Sequence, residues 1–302
     1  MPLLMKSFSI SLFLFPFLVL AAPHVEVHGH RGARALRPEN TLPAFELALQ
    51  AKVDVLELDL AVTKEGRLVI SHDPLISPAI CQSKDGKPIP EKLAIHFLSL
   101  EQVQSYDCGS LKNPKFPKQI PVPGTSIPTL EQLFEWIKTS KLPQAAKVKF
   151  NIETKIFPSH PEITPTPKVF VQKIIDLVKR YGFTERVILQ SFDDRTLKAA
   201  KEIEPRIRTA LLTSDNHIDY VKAVKAAKAD SLSPNADWIL PEDVEKLHQA
   251  GIPVIPWTAN DPKTWDRLLK MKVDGIITDE PVGLMEYLKG MTSLEAQSSL
   301  PE

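Results

Sequence analysis

From residue 55 onward, apolar and polar positions alternate with a period of two: Leu56, Leu58 and Leu60 fall on one face, Glu57 and Asp59 on the other. Successive side chains of a strand point to opposite faces. The pattern therefore predicts a strand whose apolar side packs on helices and whose other side carries two acids together. Residues 63–66, Thr-Lys-Glu-Gly, predict a turn, and a second apolar run over 68–71 ends in His72-Asp73-Pro74. The turn is too short to hold a helix, so the second run is expected to fold back antiparallel. That return brings His72 toward the two carboxylates.

Further along, short apolar runs alternate with stretches of helical period. Strands are expected at 25–27, from 55, at 68–71, 148–153, 187–190, 209–212, 231–233, 253–257 and 275–278. Helices are expected at 44–51 after Pro38-Glu39-Asn40-Thr41, at 130–138 after Thr129, and at 168–181, 193–202, 218–227, 241–250, 262–271 and 281–288. Residues 76–125 break this rhythm with many prolines, both cysteines, Lys-Asp-Gly and Pro-Gly punctuation, and one helix-like run at 100–106. That segment reads as an insertion forming a lid or side wall. Strands alternating with helices imply parallel strands joined by crossovers. Of the nine strand candidates, 68–71 has no preceding helix and is the return arm of the hairpin. The remaining eight close an α/β fold of the (β/α)8 TIM-barrel type. A doubly wound open sheet would need a glycine-rich phosphate loop after its first strand, and His30-Arg31-Gly32 is not one.

Composition adds limits. With 43% hydrophobic residues in 302 the chain can fill such a barrel, and 37 basic against 37 acidic residues leave no bulk field for nucleic acid. Lys6, the apolar run 8–20 and Ala21-Ala22-Pro23 read as a secretory signal peptide over residues 1–21. The run is shorter than the roughly 20 residues of a membrane span, although an uncleaved anchor is the alternative. The barrel is then expected over 22–289 with insertion 76–125, exported to a periplasm or secreted, and followed by a disordered polar tail over 290–302. No membrane span is expected after cleavage, and the sequence carries no sign of an oligomeric state. In an exported protein Cys81 and Cys108 either pair or remain as two thiols; both readings stand at this point.

Barrel chemistry sits at the C-terminal ends of the strands. Those ends carry His28, His30 and Arg31, then Glu57 and Asp59, then Glu153 and Lys155, then Gln190 and Phe192, then Trp257 and Asp279. Glu57, Asp59 and Glu153 would repel one another without a cation among them, and an all-oxygen set favours Mg2+ or Ca2+. The plainer reading pairs each acid with Arg31 or Lys155. His30 and His72 suit acid and base work on a phosphate ester, with Arg31 and Lys155 holding the nonbridging oxygens. Trp257 either walls the pocket or packs in the core. His96, His160, His217 and His248 read as ordinary surface or core residues.

The pieces HRG followed by PENT, ELDL followed by TKEG and SHDP, then IPTLEQLF, NIETK, QSF, PWTAND and GIITDEP together resemble the glycerophosphodiester phosphodiesterase family. The resemblance spans nearly all of the mature chain. It implies a (β/α)8 barrel with a small insertion, and hydrolysis of small-molecule glycerophosphodiesters to glycerol 3-phosphate and an alcohol. By matching motif it implies His30 and His72 as the acid–base pair and Arg31 and Lys155 as phosphate contacts. Glu57, Asp59 and Glu153 become ligands of one divalent ion, and Trp257 a wall of the substrate pocket. It further implies that the neighbouring glycerol hydroxyl attacks phosphorus first, giving a cyclic phosphate that water opens. The chain departs from the pattern after SHDP, where many members have an arginine and this one has Leu75-Ile76-Ser77-Pro78. That departure bears on the leaving alcohol. Two further classes stay open: a sphingomyelinase D-like phospholipase acting on membrane lipids, expected to show an exposed apolar rim, and a non-enzymatic barrel, expected to have lost site residues. None of those residues is missing here.

Overall fold

A computed structural model describes residues 24–216 and 219–298. The expected signal peptide, His217 and the expected helix start at Ile218 lie outside them. The chain opens with β1 (Glu26–Gly29), α1 (Leu42–Gln50), β2 (Val55–Val62) and β3 (Leu68–Ile70). The segment that follows holds β4 (Gln82–Ser83), α2 (Leu100–Gln104) and β5 (Tyr106–Asp107). Then come α3 (Leu130–Thr139), β6 (Lys149–Thr154), α4 (Pro167–Tyr181), β7 (Val187–Ser191), α5 (Asp194–Ile203), β8 (Arg208–Thr213) and α6 (Tyr220–Ala227). The chain finishes with β9 (Ser231–Pro234), α7 (Pro241–Gln249), α8 (Pro262–Lys270), β10 (Gly275–Thr278) and α9 (Pro281–Ser298).

The strands pair in the order β10-β1-β2-β6-β7-β8-β9, all parallel, with β3 antiparallel on β2. Between β9 and β10 runs the segment expected as a strand at 253–257. It forms isolated parallel bridges, Leu232 with Val254 and Asn235 with Trp257, instead of a continuous ladder. Pro253 and Pro256 have no N–H to give, which interrupts the pairing. The ring still closes, because Ile255 N donates to Leu232 O while Asp274 N and Ile277 N donate to Val254 O and Pro256 O. The result is an eight-membered (β/α)8 barrel.

Every residue of β2 is buried. Leu56, Leu58 and Leu60 face outward into the core shared with Phe45, Phe134, Phe150 and Phe170 of neighbouring helices and strands. Full burial of such side chains stabilises by about 1.5–3 kcal/mol each. The alternate residues, Glu57 and Asp59, are thereby turned into the barrel lumen. Parallel register places Glu57 beside Asn151 and Asp59 beside Glu153 on β6.

Residues 76–125 build a second small core from Ile76, Ile89, Ile95, Val103 and the Cys81–Cys108 disulfide. The helix expected over 100–106 ends at Gln104, since Tyr106 and Asp107 pair with Ser83 and Gln82. The last helix shows a larger difference: α9 does not stop at 288 but continues to Ser298. Most of the tail expected to be disordered is helical, a stretch with no proline and several good helix formers. Among the described residues no helix is long and apolar enough to cross a membrane.

The disulfide closes a separation of 27 residues, a constraint on the unfolded chain worth about 3–4 kcal/mol. Converting Cys81 and Cys108 to Ser is expected to lower the melting temperature by about 10 °C. Equal melting curves for the variant and the oxidised protein would show that the insertion gains nothing from its staple.

Candidate active site

The turn after β1 is built around two glycines. A Cβ on Gly29 would lie 2.4 Å from Gly32 O, and Gly32 has φ +85° with Ala44 backbone 2.6 Å from where its Cβ would be. This packing lets Gly32 N donate to Gly29 O at 3.0 Å and leaves Arg31 in the left-handed region at φ 51°. The tight turn swings His30 and Arg31 over the lumen. Pro38 to Thr41 completes this corner. Thr41 caps α1, Glu39 accepts from Arg31 Nη1 at 2.6 Å, and Asn40 Nδ2 donates to Asp59 Oδ2 at 2.9 Å.

Glu57, Asp59 and Glu153 come together as the sequence pattern expects, with one oxygen of each within 4.8 Å of the others. Burial pushes Glu57 well up from the ordinary carboxylate range, and the charges of Asp59 and Glu153 push it further. Burial also raises Glu153, to about 7, against the pull of Lys155. Burial works the same way on Asp59, but Lys155 and Arg31 outweigh it and hold that carboxyl well below its usual range. Lys155 Nζ lies 2.6 Å from Glu153 Oε1 and 3.1 Å from Asp59 Oδ1, and Arg31 Nε lies 3.2 Å from Asp59 Oδ2. Neither Asp59 contact is aligned as a hydrogen bond, so Asp59 Oδ1 remains a buried acceptor without a donor. Three converging carboxylates, one with an unserved oxygen, fit a hard divalent cation. The cations already present neutralise the cluster only in part.

His30 Nδ1 lies 2.5 Å from Asp279 Oδ1. A carboxylate only accepts, so Nδ1 carries the proton and Nε2 is left to the cavity, 3.9 Å from Glu57 Oε2. Burial pushes His30 below the usual imidazole range, Asp279 pulls it up, and Arg31 and Arg34 push it down. Asp279 is fixed in turn by Asn260, whose Nδ2 donates to Oδ2 at 2.8 Å and whose Oδ1 accepts from Asp279 N at 2.8 Å. His72 has the same arrangement: Nδ1 lies 2.9 Å from Asp73 Oδ1. A cavity of about 320 Å3 is lined by both histidines, Arg31, Lys155, Phe192 and Trp257 among others. Trp257 donates from Nε1 to Ser233 O and meets Phe192 edge to face at 5.5 Å.

One placement and two roles are not legible from strand ends. His28 does not reach the mouth. It sits fully buried below His30, with Nδ1 3.4 Å from Asn151 Nδ2 and Nε2 3.4 Å from Glu26. Gln190 and Asp279 stand where expected, but their work was not foreseen. Asn151 Nδ2 donates to Gln190 Oε1 at 2.9 Å, which turns Gln190 Nε2 to donate to Glu57 Oε1 at 2.8 Å. With Arg31 N giving 2.8 Å to Glu57 Oε2, each oxygen of Glu57 holds one donor and keeps a lone pair free. Asn151 shares the inward face with Glu153 by period two, and that was the available signal. His96 Nδ1 lies 3.1 Å from Val62 O, His160 Nδ1 3.5 Å from Glu162 Oε1 and His248 Nε2 2.9 Å from Asp274 Oδ2, away from the site.

Residues 30–282 match the model of the Glycerophosphoryl diester phosphodiesterase family. A glycerophosphodiester phosphodiesterase of Caldanaerobacter subterraneus subsp. tengcongensis is 31% identical over 263 residues, 87% of this chain and 97% of its own. The crystal structure of a Silicibacter pomeroyi protein assigned to glycerophosphoryl diester phosphodiesterases superposes with a TM-score of 0.81 at 28% identity, covering 89% of this chain and 94% of that one. An Oleispira antarctica phosphodiesterase, solved in complex with the product sn-glycerol-3-phosphate, shares the fold at a TM-score of 0.71 and 22% identity over 87% of this chain and 96% of that one.

Proposed function

The chain belongs to the glycerophosphoryl diester phosphodiesterase family, and from that premise we propose that it hydrolyses glycerophosphodiesters to glycerol 3-phosphate and an alcohol. The observation that carries the reading is the pairing of one buried carboxylate cluster with two imidazoles, each held at Nδ1 by its own carboxylate. Glu57, Asp59 and Glu153 would hold one divalent cation, Mg2+ or Ca2+. Held there, such an ion would supply positive charge that stabilises the phosphoryl group as charge builds on it. Arg31 and Lys155, freed in part from the acids, take the remaining oxygens.

His30 is the base. Burial favours its neutral form, and its exposed nitrogen faces the cavity that Trp257 and Phe192 wall. It accepts the proton of the glycerol hydroxyl next to the phosphate as that oxygen bonds to phosphorus, the P–O bond to the alcohol breaks, and His72 gives its proton to the departing alkoxide. Water then adds to phosphorus and opens the cyclic phosphate by the reverse proton transfers, leaving glycerol 3-phosphate. Asp279 and Asp73 keep the working nitrogens aimed and stabilise each imidazole when it carries charge. Export is part of the same proposal, supported by the disulfide.

The test is product identity. Purified protein with Mg2+ or Ca2+ should release glycerol 3-phosphate from a panel of glycerophosphodiesters, read by a coupled glycerol 3-phosphate dehydrogenase assay. Release of glycerol and an alcohol phosphate instead would place the cleavage on the other ester bond and overturn the reading.

A further inference from the structure

A second cavity, of about 420 Å3, opens between the barrel mouth and the disulfide-stapled insertion. It shares Arg31, Arg34 and His72 with the first cavity but not His30. Base and acid act on opposite ends of the reacting phosphodiester, so the cavity lined by His72 and not by His30 lies on the leaving-group side. Its chemistry is one-sided. Arg31, Arg34 and Lys115 line it against the acids Glu39 and Asp73. Glu39 is taken by Arg31 at 2.6 Å and Arg34 at 3.3 Å, and Asp73 by His72 at 2.9 Å. Lys115 has no ion-pair partner among the described residues and is exposed at the rim. No Phe, Tyr or Trp is among the described lining residues, and the neighbouring Phe116 ring is covered by the Arg34 guanidinium at 4.6 Å.

Quaternary ammonium groups are recognised by open aromatic faces and unpaired carboxylates. This cavity has no open aromatic face, and its two acids are contacted by Arg31, Arg34 and His72. Because Asp59 and Asp279 also face the two arginines, the cation it has to spare is Lys115. Resting on the phosphodiesterase reading above, we propose that it is the leaving-alcohol subsite and selects hydroxyl-rich alcohols such as glycerol or inositol over choline. The ammonium of Lys115 and the hydroxyl of Ser77 supply hydrogen bonds to such an alcohol, while like charge repels a cationic one. Ser77 falls in the stretch after His72-Asp73-Pro74 that departs from the family pattern.

The experiment compares kcat/KM for glycerophosphoglycerol and glycerophosphoinositol with that for glycerophosphocholine. The polyol substrates should be favoured by about 10-fold or more, the worth of one hydrogen bond to a charged group. Lys115→Glu, an exposed change outside both cores, should cut that ratio by about 10-fold or more, chiefly through KM. Equal or better use of glycerophosphocholine, or a ratio that Lys115→Glu leaves unmoved, would overturn the subsite while leaving the phosphodiesterase reading intact. Turnover of no substrate in the panel would sink both together.

Discussion

Replacing His72 by Ala should lower turnover of glycerophosphodiesters by roughly 10²–10⁴-fold, the usual worth of a positioned acid or base. The same loss is expected for His30→Ala. The two should differ in pH dependence. Burial together with Arg31 and Arg34 holds His30 below its ordinary value of 6.5. As a base it works once deprotonated, so the ascending limb of the rate profile should lie on the acid side of 6.5 and vanish in His30→Ala. His72→Ala should lower turnover and leave that ascending limb in place. Asp279→Asn removes the group that raises His30, so the ascending limb should move to still lower pH as turnover falls. Metal affinity should survive both His→Ala changes, since neither imidazole is among the converging ligands. A His72→Ala protein with near-wild-type turnover would falsify the assignment.

Removing the metal should abolish activity, and the acids should not contribute equally with their supports. Glu153→Gln takes an anionic ligand from the cluster, so calorimetric affinity of the metal-free protein for Mg2+ or Ca2+ should fall beyond about 100-fold. Gln190→Ala leaves all three carboxylates but frees Glu57 to rotate. Losses for such supporting residues run to about 10–100-fold in affinity. Its turnover should therefore recover at saturating metal, whereas that of Glu153→Gln should not. Full activity after dialysis and in excess chelator would remove the cation from the mechanism altogether. Unchanged affinity in Gln190→Ala would show that Arg31 N alone orients Glu57.

Much of the site was written locally. Period-two alternation alone turns Glu57, Asp59, Asn151, Glu153 and Lys155 to one side, because a strand with a buried apolar face has no other way to present them. The Thr63 to Gly66 turn fixes the direction in which His72 returns, and β3 pairs with β2 accordingly. The Thr41 cap and the alternation of strands and helices likewise determine α1 and the eightfold barrel. These features depend on residues near each other in sequence, so their physics can be read without coordinates.

The remainder depended on closure of the ring. His30 and Asp279 are 249 residues apart and meet only because β1 lies beside β10. Gln190 reaches Glu57, 133 residues away, across β6 by way of Asn151. No periodicity sets how deep a side chain sits in the lumen, and so His28 looked like a mouth residue although it lies a layer below. The same holds at 253–257, where apolar character suggests a strand but two prolines leave bridges, and beyond 288, where polarity suggests disorder but helix formers continue α9. Sequence determined which residue types face the lumen; tertiary structure decided their partners, because a hydrogen bond between distant strands is set by register and barrel shear, which no single segment encodes.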